Sequence, residues 1–289
     1  MPTIRRIPAL TFAVAFLAMI AACDDDTSAG PDEPALTNAQ ADSVAEVVTM
    51  DMDAEIDAAT TSGGTTFLMS SSSNAGICIP TVTPSPVVNT DGDRAPDSVR
   101  IAFGPCANTW GNHVDSISGS VDLVDPAPTV AGKNIRIVFN DLRHKRVFGS
   151  GAVTSLTLDG TRTASRDSSV LQHAVTDFST QYVFRNGGTA SHERTWSSTF
   201  TADVAGSIER DAALPSGIWD VTGTSMWTRG AGTHQLTVST DPDLHYNATC
   251  TVAPRFDSGT TTVVATRGSA MSTVTIQFTA CGTYTVTRS

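Results

Sequence analysis

Val274-Thr275-Ile276-Gln277-Phe278-Thr279-Ala280-Cys281 decides the fold, because the chain spells it twice. Its apolar residues alternate at every second position, the period of a strand with one covered face. Val99-Arg100-Ile101-Ala102-Phe103-Gly104-Pro105-Cys106 matches it at each apolar position and at the cysteine. Upstream lie two further cysteines, Cys78 and Cys250, with 27 and 30 residues between each and its downstream counterpart. Such an echo points to related units near 78–106 and 250–281, at the two ends of one domain, with a meander inserted between them.

The intervening sequence carries the same period. Ile135/Ile137/Phe139, Leu156/Leu158, Leu236/Val238 and Tyr284/Val286 each place apolar side chains on one face. Asp159-Gly160, Asn186-Gly187-Gly188, Arg229-Gly230-Ala231-Gly232 and Asp257-Ser258-Gly259 read as the connecting turns. Roughly twelve strands without helices between them favour antiparallel hairpins over βαβ units. The expected fold is all-β: an antiparallel β-sandwich or rolled meander of about twelve strands across 76–289. A transmembrane barrel is disfavoured, because Thr, Arg and Asp dot the outward faces and no aromatic girdles occur.

The first 75 residues differ in character. Arg5 and Arg6 precede an apolar run from Ile7 to Met19, interrupted by Pro8 and Thr11. That run is the length of a secretion signal and short for a membrane span. Ile20-Ala21-Ala22-Cys23 resembles the lipobox of bacterial lipoproteins. The resemblance implies a signal peptide over 1–22, a diacylglycerol on the Cys23 sulfur, and a mature chain of 267 residues in the cell envelope. Residues 24–75 hold eleven Asp or Glu and no Lys or Arg, whereas eighteen acids and sixteen bases follow. The net charge of −11 is thus a property of the tether over 23–75, which stays solvated and repels anionic headgroups. Within it, Thr37-Asn38-Ala39-Gln40 forms a capping box, and Leu36, Ala41, Val44, Val47, Val48, Met52 and Ile56 predict one amphipathic helix over about 38–58. Asp24 after the lipidated cysteine retains enteric lipoproteins in the inner membrane. Tethers opening with several acids export lipoproteins to the surface in other diderms, and the outer membrane or cell surface is the location favoured here.

Cys23 aside, four cysteines remain in a compartment where thiols oxidise. Four allow three pairings, and the echo selects Cys78–Cys106 and Cys250–Cys281. Closing loops of that length is worth about 3–4 kcal/mol each. No CxxC spacing supports a metal or redox site. From Cys78 onward the chain resembles a group of uncharacterised envelope lipoproteins of diderm bacteria. Phe103-Gly104-Pro105-Cys106, Cys250 followed by Ser258-Gly259, and the closing strand ending at Cys281 carry the resemblance, with Thr279 standing where the group has Gly. It implies a β fold and an envelope location, and it brings no activity with it.

Asn89-Thr90-Asp91-Gly92-Asp93-Arg94-Ala95-Pro96-Asp97 resembles the calcium loops of thrombospondin type 3 and dockerin-like repeats. Calcium takes roughly six to eight oxygens, which alternating acids on a tight turn supply. The resemblance implies Asn89, Asp91, Asp93 and Asp97 as ligands. Arg94 replaces the turn glycine, and Arg100 stands where a closing Glu would be. The alternative is a polar turn leading into the Val99 strand. His192-Glu193 opens like a zincin motif, but Trp196 occupies the second histidine position. Nucleophile elbow, phosphate loop and dinucleotide fingerprint are all missing. A glycosidase needs only two carboxylates brought together by the fold, and no pair stands out.

Arg143-His144-Lys145-Arg146 is the one basic run, read as a hairpin tip, with docking of anionic glycan or lipopolysaccharide as the functional alternative. Trp110, Trp196, Trp219 and Trp227 read mostly as core, with a sugar-stacking platform as the alternative. No clustered basic face suggests nucleic acid. The sequence therefore predicts a lipid-anchored envelope lipoprotein with a non-catalytic β domain, structural or binding, and no required cofactor. Its partners would be the membrane through the lipid, and an envelope protein or glycan. The alternatives are a polysaccharide-acting hydrolase and a calcium- or glycan-binding module.

Overall fold

One antiparallel sheet accounts for the whole of the described chain. A computed structural model describes residues 80–289 except 94, 131, 132, 210 and 211. The expected signal peptide, Cys23, the acidic stretch with its expected helix, and Cys78 lie outside the described residues. In chain order the strands are β1 (Thr81–Thr83), β2 (Ser98–Trp110), β3 (His113–Val124), β4 (Lys133–Phe148), β5 (Val153–Arg166), β6 (Val170–Val183), β7 (Thr189–Ala202), β8 (Gly217–Arg229), β9 (Gly232–Thr240), β10 (Leu244–Tyr246), β11 (Phe256–Arg267), β12 (Ala270–Ala280) and β13 (Thr283–Arg288). Their order in the sheet is their order in the sequence, with β9 and β10 end to end in the slot between β8 and β11. Pro242, which has no N–H to give a ladder, falls in the break between them. Of the two architectures expected, the meander forms as a single sheet. Leu171 of β6 and Phe278 of β12 belong to one continuous cluster of buried side chains on one face of the sheet.

Two expected turns lie inside strands. Asp159-Gly160 belongs to β5 and Asp257-Ser258-Gly259 to β11. Their glycines serve a different purpose: each faces a bulge in the neighbouring strand. Asp141 of β4 (φ 47°) is the extra residue opposite Gly119 of β3, and Asp177 of β6 (φ 48°) is the extra residue opposite Gly160. Asp243, in the break between β9 and β10, approaches Gly259 in the same way. A Cβ on Gly119, Gly160 or Gly259 would sit 2.1, 2.5 or 2.4 Å from the carbonyl oxygen of the facing aspartate. Only a residue without a side chain tolerates that approach. β2 carries another bulge between Phe103 and Cys106.

An extra residue reverses which parity faces inward. In β4, Ile135, Ile137 and Phe139 share a face with Leu142, His144, Arg146 and Phe148 beyond the bulge. The basic run 143–146, expected at a hairpin tip, therefore lies within one continuous strand and divides between its two faces.

The inner face carries two apolar clusters. One joins β6 to β13 around the fully buried Phe200, Leu244, Phe256, Val263, Val274 and Ile276. The other covers β2 to β6 through Val99, Val121, Leu123, Ile137, Phe139, Val175 and Phe178. Trp196 packs on both, lying across Gly223 of β8, where a Cβ would come within 2.5 Å of its ring. Trp219 and Trp227 are buried as well, while the side chain of Trp110 lies outside the described residues. The echoed strands are β2 and β12, second and penultimate in the sheet. Cys250 and Cys281 are joined by a disulfide with Cα atoms 5.5 Å apart, and Cys106 is disulfide-bonded too.

The close approach at the bulges gives a direct expectation. Gly160→Ala, at φ +122° and with its new Cβ against the Asp177 carbonyl, should lower stability by roughly 1–3 kcal/mol. Urea unfolding of the variant against the parent measures it, and an unchanged midpoint would refute the account.

Candidate metal site

The connection between β1 and β2 forms a loop at one end of the sheet, called here the near end. Its turns are held by short polar side chains, as Asx turns are. Asn89 Oδ1 accepts from the Gly92 N–H at 2.9 Å, and Asn89 Nδ2 donates to the Asp93 carbonyl. The Thr90 N–H donates to Asp97 Oδ1 at 2.7 Å, and the Thr90 hydroxyl donates to the other Asp97 oxygen. That hydroxyl, with the Thr90 N–H, holds the Asp97 carboxyl below its ordinary range. Asp91 Oδ1 accepts from the Asp93 N–H at 3.0 Å, and Asp93 Oδ1 accepts from the Ala95 N–H at 2.6 Å.

Those bonds sort the expected ligands into two groups. Asn89 and Asp97 are engaged in shaping the loop. Asp91 and Asp93 each spend one oxygen on the backbone, and their Oδ2 atoms are buried without a hydrogen-bond partner. A third acid joins them from elsewhere. Asp125 follows the last residue of β3, is 3% exposed, and accepts from the Ala127 N–H at 2.7 Å through Oδ1. Its own N–H lies 3.3 and 3.1 Å from the carbonyl oxygens of Pro96 and Asp97, which fastens the loop to this point. One oxygen from each of Asp91, Asp93 and Asp125 lies within 4.8 Å of the others. At that spacing each pair of carboxylates repels by about 3 kcal/mol in surroundings of intermediate polarity. A divalent cation removes this repulsion, and an all-oxygen donor set selects a hard one such as calcium. Arg94 lies outside the described residues.

Two other groupings of polar side chains lie among the described residues. His192 Nε2 is 2.7 Å from the Ser225 hydroxyl, a pairing that superficially suggests a nucleophile and its base. Burial, then the nearby Arg194 charge, push the His192 pKa down to about 3, so the ring is a poor proton acceptor at neutral pH. Glu193 projects from the opposite face of β7. Asp220 and Asp243 converge on the Thr240 hydroxyl at 3.3 and 3.5 Å, but both are exposed on the outer face. A shallow recess beside the β7–β8 connection, too small to hold a water molecule, has Leu171, Ile208 and Leu214 in its wall with Arg166 and Glu209 beside them.

One further cluster holds the near end together. His245 Nδ1 is 2.7 Å from Asp257 Oδ1 of β11, and its Nε2 is 3.0 Å from Asp203 Oδ2 in the β7–β8 connection. Asn247 Nδ2 donates to the second Asp257 oxygen at 2.7 Å. Carboxylates only accept, so both ring nitrogens carry protons and the ring is a cation. Burial pulls the His245 pKa down, but the bonds to Asp203 and Asp257 outweigh it and hold it above its ordinary 6.5. The connection so clamped contributes Ile208 and Leu214 to the larger core cluster. No family model, curated protein or solved structure matches this chain, so its function is argued from its own residues.

A raised histidine pKa stabilises fully below the unfolded value and ceases to do so as pH climbs through the folded one. His245→Gln should therefore cost most stability near pH 5–6, with the difference from the parent shrinking in alkaline solution. Thermal unfolding across pH tests this; a difference that stays constant would show that the ring acts by packing alone.

Proposed function

We propose that this protein is a lipid-anchored lipoprotein of the cell envelope whose non-catalytic β domain is a binding module, with calcium held by Asp91, Asp93 and Asp125. The observation that carries the calcium reading is the pair of buried, unpartnered oxygens on Asp91 and Asp93, facing a third carboxylate that is itself buried. Carboxylates so placed call for a cation, which a hydrated surface turn would not need. Bound calcium would tie the loop from 88 to 97 to the end of β3, fixing how the chain enters the sheet.

The non-catalytic reading is supported by the weak basicity of His192 and the exposure of Asp220 and Asp243. The anchor reading is supported by the apolar run ending at Cys23. Each buried methylene contributes about 0.8 kcal/mol, so two or more acyl chains hold the protein stably where one would not.

Calcium at about 10 mM, roughly a hundredfold above the dissociation constant of a moderately tight extracellular site, should stabilise the protein by about 2.7 kcal/mol. For a domain of this size the melting temperature then rises by about 5–10 °C, and chelator reverses the rise. Asp125→Asn should abolish the calcium response. No shift in the parent, or an equal shift in Asp125→Asn, counts against the site.

The anchor has its own test. Bacteria fed labelled palmitate should incorporate label into the parent chain and not into Cys23→Ser, and density separation of their membranes reports the leaflet system that holds it. Equal labelling of the two chains would remove the lipoprotein reading.

A further inference from the structure

We infer that the inner face at the far end of the sheet, between β4 and β8, docks an anionic polysaccharide. Three arginines converge there from separate segments. Arg194 of β7 lies opposite Phe178 of β6, with its guanidinium carbon 5.7 Å from the ring centroid. Arg229, the last residue of β8, lies 5.3 Å over Phe184, and Arg185 in the β6–β7 turn lies 4.5 Å over Phe148. A ring beneath a guanidinium fixes its plane and leaves its N–H edge free, and that edge pairs bidentately with carboxylate or phosphate.

The charge is uncompensated. Arg185, Arg194 and Arg229 have no carboxylate partner among the described residues. The acid on this part of the face is Asp115, and Arg146 already takes both of its oxygens at 2.6 and 2.9 Å. Between the cations the aromatic rings stand stacked face to face on one another. The small Ala190 of β7 lets side chains from the strands on either side meet above it, so Tyr182 stacks on Trp227 at 5.7 Å, while Phe184, two residues further along its own segment, stacks on Tyr182 at 6.3 Å. His192 stacks on the same Trp227 at 3.9 Å, and as a neutral ring it adds no charge.

Separated cations, each held over a packed ring, fit a polymer that repeats an anion along its chain. An acidic glycan has that form. The basic run 143–146 is not the site, because Arg143 and Lys145 face outward and Arg146 is paired. The inference rests on the proposed envelope location only for where such a polymer would be met; binding itself depends on the β domain.

The test uses the full chain in detergent, passed over immobilised polygalacturonate with neutral dextran as the comparison. Retention is expected on polygalacturonate at about 50 mM salt, with release near 500 mM and none on dextran. The paired variant Arg185→Gln/Arg229→Gln, altered at two exposed positions, should bind at least about tenfold more weakly with an unchanged unfolding midpoint. Absence of retention, or equal retention of the variant, overturns the proposal. So does equal affinity for a single-stranded oligonucleotide, which would mark a general cation-exchange surface. Cys23→Ser protein should bind like the parent, so failure of the anchor reading leaves this result interpretable.

Discussion

Backbone pressed against backbone at Gly119, Gly160 and Gly259 sets which side chains face inward. A single sheet has one chance to separate apolar from polar residues, namely the alternation along each strand. The bulges at Asp141 and Asp177 break that alternation once in β4 and once in β6. Remove the extra residue from β4, and Arg143 and Lys145 would turn inward while Leu142, Arg146 and Phe148 turned out. The apolar near half of the inner face and the cationic, aromatic far half are joined through these bulges. A glycine on the neighbouring strand permits each.

The same arrangement places unlike charge at opposite ends of one sheet. Acids gather at the near end, where loops rather than strands carry them, and Asp125 reaches the 89–97 loop because β3 stops one residue before it. The far end is built from tight hairpins that bring Arg185, in a turn, over Phe148 of β4, and Arg229, the last residue of β8, over Phe184 in the β6–β7 connection. Loops suit a multidentate cation site, since backbone bonds can aim several oxygens at a point. Strands suit an extended ligand, since their side chains come in rows.

Much of the architecture was legible. Alternation at Val99, Ile135, Leu156, Leu236, Val274 and Tyr284 marked strands that form, and the echo of Val99–Cys106 in Val274–Cys281 named the disulfide between Cys250 and Cys281. Asp159-Gly160 and Asp257-Ser258-Gly259 misled for a chemical reason: the dipeptides that build turns also build the partner side of a bulge, and local sequence does not distinguish them. The basic run misled similarly, since three cations and a histidine in a row look like a tip until the neighbouring strands show where each side chain points. Asp91 and Asp93 were visible in the loop motif. Asp125 was not, because it is contributed by a different connection, and a lone aspartate after a strand carries no pattern. Arg185, Arg194 and Arg229 were hidden for the same reason, each in its own segment and brought together by register.

Because the order of strands in the sheet follows their order in the chain, almost every strand finds its partner in the one made just before it. Contact order is therefore low for an all-β protein, and the entropy of closing long loops is largely avoided. The disulfide between Cys250 and Cys281 keeps to this rule, spanning 31 positions within adjoining hairpins. A chain of this design can zip up from its first hairpin onward, without holding unpaired strands in wait for a distant mate. Vectorial assembly of that kind shortens the time during which a sticky sheet edge is bare.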